Sequence, residues 1–112
     1  MITDIICLQQ VTGESSEVMR EMIDLFLGQI EETAKELEIL WKDGNWTEIS
    51  RLAHKMKSSS LVMGVEPMAA GMAELEMLAK ENHAEKCREL INMFHSLAGR
   101  VKTEFNSHLA SL

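Results

Sequence analysis

The chain has 112 residues, 46% of them hydrophobic and 26% charged, which suits a folded soluble domain and excludes a disordered segment. Its net charge of −7 excludes the basic surface that nucleic acid or an anionic membrane would need. One proline, six glycines, 4% aromatic residues and no tyrosine disfavour strands and leave room for long helices.

The first eleven residues are partly apolar but lack a basic leader and a small-residue cleavage site, so they are not expected to be a signal peptide. A short segment over residues 2–8 is expected to cap one end of the domain. Residues 12–16, Thr-Gly-Glu-Ser-Ser, form a turn with helix-capping candidates. After it, Met19, Met22 or Ile23, Phe26, Ile30, Thr33, Leu37 and Trp41 recur at helical spacing, as one helix or as two with a bend near Gly28. Gly44 suits the left-handed position that ends this stretch, and Asn45 with Glu48 suits a reciprocal cap for the next helix. That helix carries Trp46, Ile49, Ala53, Met56, Ser60 and Met63 on one seam and stops at Gly64. Pro67 opens a further helix with Met68, Met72, Leu75 and Leu78 or Ala79 inward. Asn82 with Glu85 gives another capping pattern. The last helix then uses Ala84, Cys87 or Arg88, Ile91, Phe94, Leu97 or Ala98, Val101, Phe105 and Leu109. The connections are short, so consecutive helices should pack antiparallel. The expected fold is all-α, an up-down four-helix bundle with a short N-terminal helical segment, as a single domain over residues 1–112.

Most of the nine methionines fall at core spacing and are read as core. Cys7 and Cys87 are too few for a disulfide framework and are read as reduced thiols of a cytoplasmic protein, free-standing or cut from a larger one. His83 and Cys87 lie four residues apart, but a structural zinc wants about four ligands and no others have suitable spacing, so no metal site is expected. His83, His95 and His108 are read as surface residues, and Glu31, Glu32, Glu36 and Glu38 as a hydrated face.

The informative segment runs from Ala53 through His54, Lys55, Met56, Lys57, Ser58, Ser59, Ser60 and Leu61 to Gly64 and Val65. If Ala53, Met56 and Ser60 face the core, a turn of ~100° per residue carries His54 to the side of the helix and toward water. Lys57 and Ser58, three and four residues on, share its side. A neutral imidazole nitrogen is a good nucleophile near neutral pH. An ammonium one turn away offsets the charge of a phosphoryl group placed on it. Three consecutive serines keep the surface low enough for a partner's loops to approach. No acidic residue lies between Glu48 and Glu66, while Arg51, Lys55 and Lys57 do. In so acidic a chain, such a basic island fits an acidic partner pocket.

His54-Lys55-Met56-Lys57-Ser58-Ser59-Ser60 followed by Gly64-Val65 resembles the signature of the histidine phosphotransfer (HPt) family: His-x-x-Lys, small residues, and a glycine ten after the histidine. Gly44-Asn45-Trp46 and Leu75-Glu76 resemble the family's flanks, and the likeness spans residues 13–101. It implies that His54 is the phosphorylated residue and Lys57 the phosphate-stabilising one, with Arg51, Lys55, Ser58, Leu61 and Gly64 at the docking surface. It further implies a multistep phosphorelay. The partner is then a receiver domain, that of a hybrid sensor kinase included, which brings the phosphorylatable aspartate and a Mg²⁺ ion. This chain would hold no cofactor, act as carrier and not enzyme, and need no dimer. The sequence departs from the family at Ser58, where glycine is common, and at residues 28–33, which lack the family's frequent proline.

Two other classes fit the sequence less well. A sensor kinase's dimerisation and phosphoacceptor domain usually has an acidic residue after the histidine and a proline soon after, whereas Lys55 and the distant Pro67 stand here. A pure interaction module would leave His54 unmodified. Nothing in the sequence marks a hydrolase or transferase: there is no glycine-rich phosphate loop and no Cys–His constellation with an orienting group.

Overall fold

The computed structural model describes residues 2–13 and 15–112, with Val11 described by its backbone alone. Met1 and Glu14, which belong to the N-terminal segment and the first turn of the sequence reading, lie outside the described residues. The elements are α1 (Ile5–Thr12), α2 (Ser16–Lys42), α3 (Trp46–Val62), α4 (Glu66–Lys80) and α5 (Ala84–Ser111). No strand occurs among the described residues. The last four helices form the up-down bundle, with α3 packed on α4, α4 on α5, and α2 closing the ring against α3 and α5.

α2 is one helix, continuous through Gly28. Gly28 has open space where a Cβ would stand, so it neither breaks nor crowds the helix. The core is the seam that helical periodicity dictates: Ile23, Phe26, Ile30 and Leu37 from α2, Ile49, Ala53 and Met56 from α3, Met68, Met72 and Leu75 from α4, and Ile91, Phe94, Val101 and Phe105 from α5. Phe26 and Phe105 meet edge to face, with ring centroids 6.1 Å apart.

α2 and α5 have 27 and 28 residues, whereas α3 and α4 have 17 and 15. At about 1.5 Å per residue, the long pair overhangs the short pair by roughly 15 Å. α1 fills that step. Its Leu8 is fully buried. The segment before it is tied down at both sides: Asp4 N–H donates to the Gly64 carbonyl at 3.0 Å, and Ile2 N–H, Thr3 N–H and Thr3 Oγ1 donate to the Glu104 carboxylate at 3.0, 3.0 and 2.8 Å.

The three connections inside the bundle close in the same way. A left-handed residue follows each helix: Gly44 after α2, Gly64 after α3 and Asn82 after α4. In each case the next amide reaches back to a carbonyl of the last turn: Asn45 to Leu40 at 2.9 Å, Val65 to Ser60 at 2.8 Å, His83 to Leu78 at 3.1 Å. This corrects two capping expectations. Asn82 ends α4 and does not cap α5, whose N-cap residue is His83 with no side-chain bond. Asn45 does cap α3, accepting from Glu48 N–H at 3.3 Å, but its own amide is taken by Leu40. The Glu48 carboxylate is therefore free to pair with Arg51 at 3.2 Å, and the cap is not reciprocal.

Two of the supposed surface groups are engaged. Glu38 accepts from Arg88 Nη1 at 2.9 Å and faces His95 Nε2 at 2.8 Å, tying α2 to α5. Arg88 also lies over the Trp41 ring, 5.1 Å from its centroid, while Trp41 Nε1–H donates to the Ala84 carbonyl at 2.9 Å. His108 is half-buried on a helix that continues to Ser111, with Nε2 buried and unpartnered among the described residues.

Candidate functional site

His54 sits in the middle of α3; Ala53 and Met56 are fully buried, so His54 and Lys55 between them are turned out of the core. Its side chain is 59% exposed. One turn further along α3, Lys57 lies on the same side and is less exposed. Ser58 folds back on the helix, its hydroxyl donating to the His54 carbonyl at 3.2 Å. The low surface expected from the serines is thus present, but the Ser58 hydroxyl is not aimed at the imidazole.

The residue that organises the site comes from α4. Glu76 Oε2 stands 3.0 Å from His54 Nδ1, and Glu76 Oε1 is 3.4 Å from Lys57 Nζ. Lys80, one turn on, brings Nζ to 3.5 Å from Oε2. The Glu76 side chain is only 16% exposed. It is placed by Ser50, a buried serine one turn before His54, whose hydroxyl donates to the Glu76 carbonyl at 3.1 Å and pins α4 to α3 at this level. Burial raises the Glu76 pKa, but hydrogen bonds from His54 and Lys57 outweigh it and hold the carboxyl below its ordinary value. Glu76 is therefore ionised at neutral pH.

An ionised carboxylate at Nδ1 selects the imidazole tautomer that carries its proton there. Nε2 then holds the lone pair, and it has no partner among the described residues. The arrangement presents a neutral nitrogen nucleophile on a rigid helix, oriented from behind and flanked by an ammonium.

The other expected site residues divide. Arg51, Lys55, Ser58 and Leu61 are exposed on α3. The interval between Glu48 and Glu66 is free of acids along the chain but not in space, because Glu48 takes Arg51 and Glu76 takes Lys57. Gly64 is buried and offers no docking surface: Asp4 and Cys7 cover it, and a Cβ there would lie 2.9 Å from the Asp4 carbonyl oxygen. On the α2 side of Ser58, an apolar groove runs between Met22, Leu25, Phe26 and Val62. Leu61 and Val62 add exposed apolar surface on the C-terminal side of His54. His83 faces Glu81 at 3.1 Å, while Cys87 is buried and its thiol pKa is pushed up by that burial. No group of three or more His, Cys, Asp or Glu suited to a metal occurs among the described residues, and no described helix is long and apolar enough to cross a membrane.

Sequence reasoning placed His54 and Lys57 on one side of the helix, as the structure has them, but gave Glu76 no role. It also assigned Ser50 none. The available signal was the mismatch of an otherwise apolar α4 seam, Leu75 to Leu78, with a carboxylate set beside it.

Residues 21–109 match the family described as Hpt domain. The fold is similar to the crystal structure of histidine-containing phosphotransfer protein B (HptB) from Pseudomonas aeruginosa PAO1, with a TM-score of 0.93 and 21% sequence identity, over 99% of this chain and 96% of that one. No curated protein matches.

Proposed function

Because the chain belongs to the Hpt domain family, we propose that His54 is the residue on which it carries its phosphoryl group. The chain is a histidine phosphotransfer module of two-component phosphorelays, and its partners are receiver domains. The observation that carries the assignment of His54 is the hydrogen bond between its Nδ1 and the Glu76 carboxylate, which leaves Nε2 exposed and nucleophilic.

The exchange follows from that geometry. The Nε2 lone pair attacks the phosphorus of the receiver's aspartyl phosphate. The N–P bond forms as the P–O bond to the aspartate breaks, and the electron pair returns to the aspartate carboxylate. The ring keeps its proton on Nδ1 and becomes cationic, facing Glu76. No proton leaves, so the step reverses without a separate base. Lys57, on the same face, offsets the charge of the phosphoryl oxygens. The receiver supplies the Mg²⁺ and most of the catalytic groups. This chain, one domain over residues 1–112, acts in the cytoplasm as carrier and needs no second copy for the chemistry. Docking uses Arg51, Lys55, Ser58 and Leu61 together with the α2–α3 groove at Leu25 and Val62. Apolar contact there supplies affinity, and the basic side chains steer an acidic receiver pocket.

His54→Gln should retain the helical fold and accept no phosphoryl group, while His83→Gln and His95→Gln accept it at the parent rate. Incorporation of label by His54→Gln would remove His54 from the role.

A further inference from the structure

Glu76 receives three donors, and a phosphoryl group on His54 disturbs one of them. Lys57 Nζ lies 3.4 Å from Oε1, and His54 Nδ1 and Lys80 Nζ lie 3.0 and 3.5 Å from Oε2. Lys57 sits one helical turn from His54 on the same side of α3. Its ammonium cannot bond phosphoryl oxygens on Nε2, which faces away from Glu76, and stay on the carboxylate. When Lys57 turns outward, Glu76 loses the ammonium at Oε1 as about two negative charges arrive beyond the ring, and the cationic ring and Lys80 remain as its partners. Held by the ring alone, the carboxylate would sit less firmly on Nδ1, and the ring would lose part of the order that this acceptor gives it.

Lys80 is placed to prevent this. It lies four residues after Glu76 on α4, with its side chain 66% exposed. Among the described residues its ammonium meets no other carboxylate. It approaches Oε2 while Lys57 approaches Oε1, and Nδ1 lies within 3.1 Å of both oxygens. We propose that Lys80 is a positioning residue that keeps Glu76 on the Nδ1 proton of His54 while Lys57 engages the phosphoryl group. The two lysines therefore divide the work: Lys57 serves the phosphoryl oxygens and Lys80 serves the carboxylate behind the ring. This rests on His54 being the phosphorylated residue.

The test compares Lys80→Ala and Lys80→Arg with the parent chain. Two quantities are read: the lifetime of the phosphoryl group on His54, and the ¹⁵N and Nδ1-proton signals of His54 with and without that group. Lys80→Ala should leave the unphosphorylated signals in place, because Lys57 still faces Glu76. In the phosphorylated protein it should perturb the Nδ1 signal and shorten the lifetime about threefold, the scale of one exposed ion pair. Lys80→Arg should restore both. An unchanged lifetime in Lys80→Ala, or equal perturbation of the signals in both states, would overturn the proposal. Label found elsewhere than His54 in the parent chain would instead overturn the site assignment, whatever Lys80 does.

Discussion

At the scale of the residue, the site is a histidine held by its back. Exposure alone gives an imidazole that rotates and samples both tautomers; Glu76 removes both freedoms by taking Nδ1 at 3.0 Å. Lys57 pairs with Glu76 in the structure, and in the proposed mechanism it turns to the phosphoryl group after transfer. Lys57→Ala should therefore fold normally and lose phosphohistidine lifetime or transfer rate by roughly three- to tenfold, the range of one charge-assisted contact. Unchanged transfer kinetics and lifetime would reduce Lys57 to a surface charge. The shared face of His54 and Lys57 was legible because three-residue spacing on one helix fixes it. Glu76 was not, because it arrives from another helix, 22 residues from His54. Periodicity says which residues share a face of one helix; it does not say which level of the next helix stands opposite. That level is set here by Ser50, whose hydroxyl meets the Glu76 carbonyl.

At the scale of the element, the connections decide where the helices stop. Gly64 carries the most weight, with φ of 72° and the Asp4 carbonyl close above it. Gly44 has a similar φ of 66° but open space around it. Gly44→Ala should cost only the left-handed backbone strain, about 1 kcal/mol. Gly64→Ala adds a clash with backbone and should cost more, up to about 3 kcal/mol. It should also free α1, seen as faster hydrogen exchange at the Leu8 amide. Equal stability loss in the two variants, by urea unfolding, would contradict the docking of α1 on Gly64. Most helix ends were readable from glycine and proline. Asn82 was not, because asparagine suits both an N-cap and a left-handed position, and the sequence around it also offered Glu85 as a capping partner. The backbone bond from His83 to Leu78 settles the choice in favour of closing α4.

At the scale of the whole molecule, the bundle is held by its seam and by polar ties across helices. The α2–α5 tie is built on Glu38, whose carboxyl pKa the Arg88 hydrogen bonds, aided by His95, hold at about 2 against the opposing effect of burial. A carboxyl with a lowered folded pKa stabilises the fold above its ordinary value of 4.5 and loses that contribution as pH falls toward 2. Glu38→Gln should thus destabilise the protein at neutral pH by on the order of 1 kcal/mol, after allowance for solvent screening of a partly exposed pair. The difference between variant and parent should shrink as pH drops from 4.5 to 2. A constant difference across that window would mean that the carboxylate charge contributes nothing. The four-helix bundle was legible because the apolar positions keep helical spacing through every segment. The Glu38 tie was not, since a run of acidic residues on α2 reads as a solvated face until α5 brings Arg88 and His95 against it.

The most direct measurement is phosphoryl transfer from a phosphorylated receiver domain to this chain, with mass spectrometry and chemical stability locating the label. Acid-labile, alkali-stable label on His54, returned to the receiver's aspartate on reversal, is the predicted result. Label on another residue, or no transfer from a broad set of phosphorylated receivers, would contradict the assignment of His54 as the carrier.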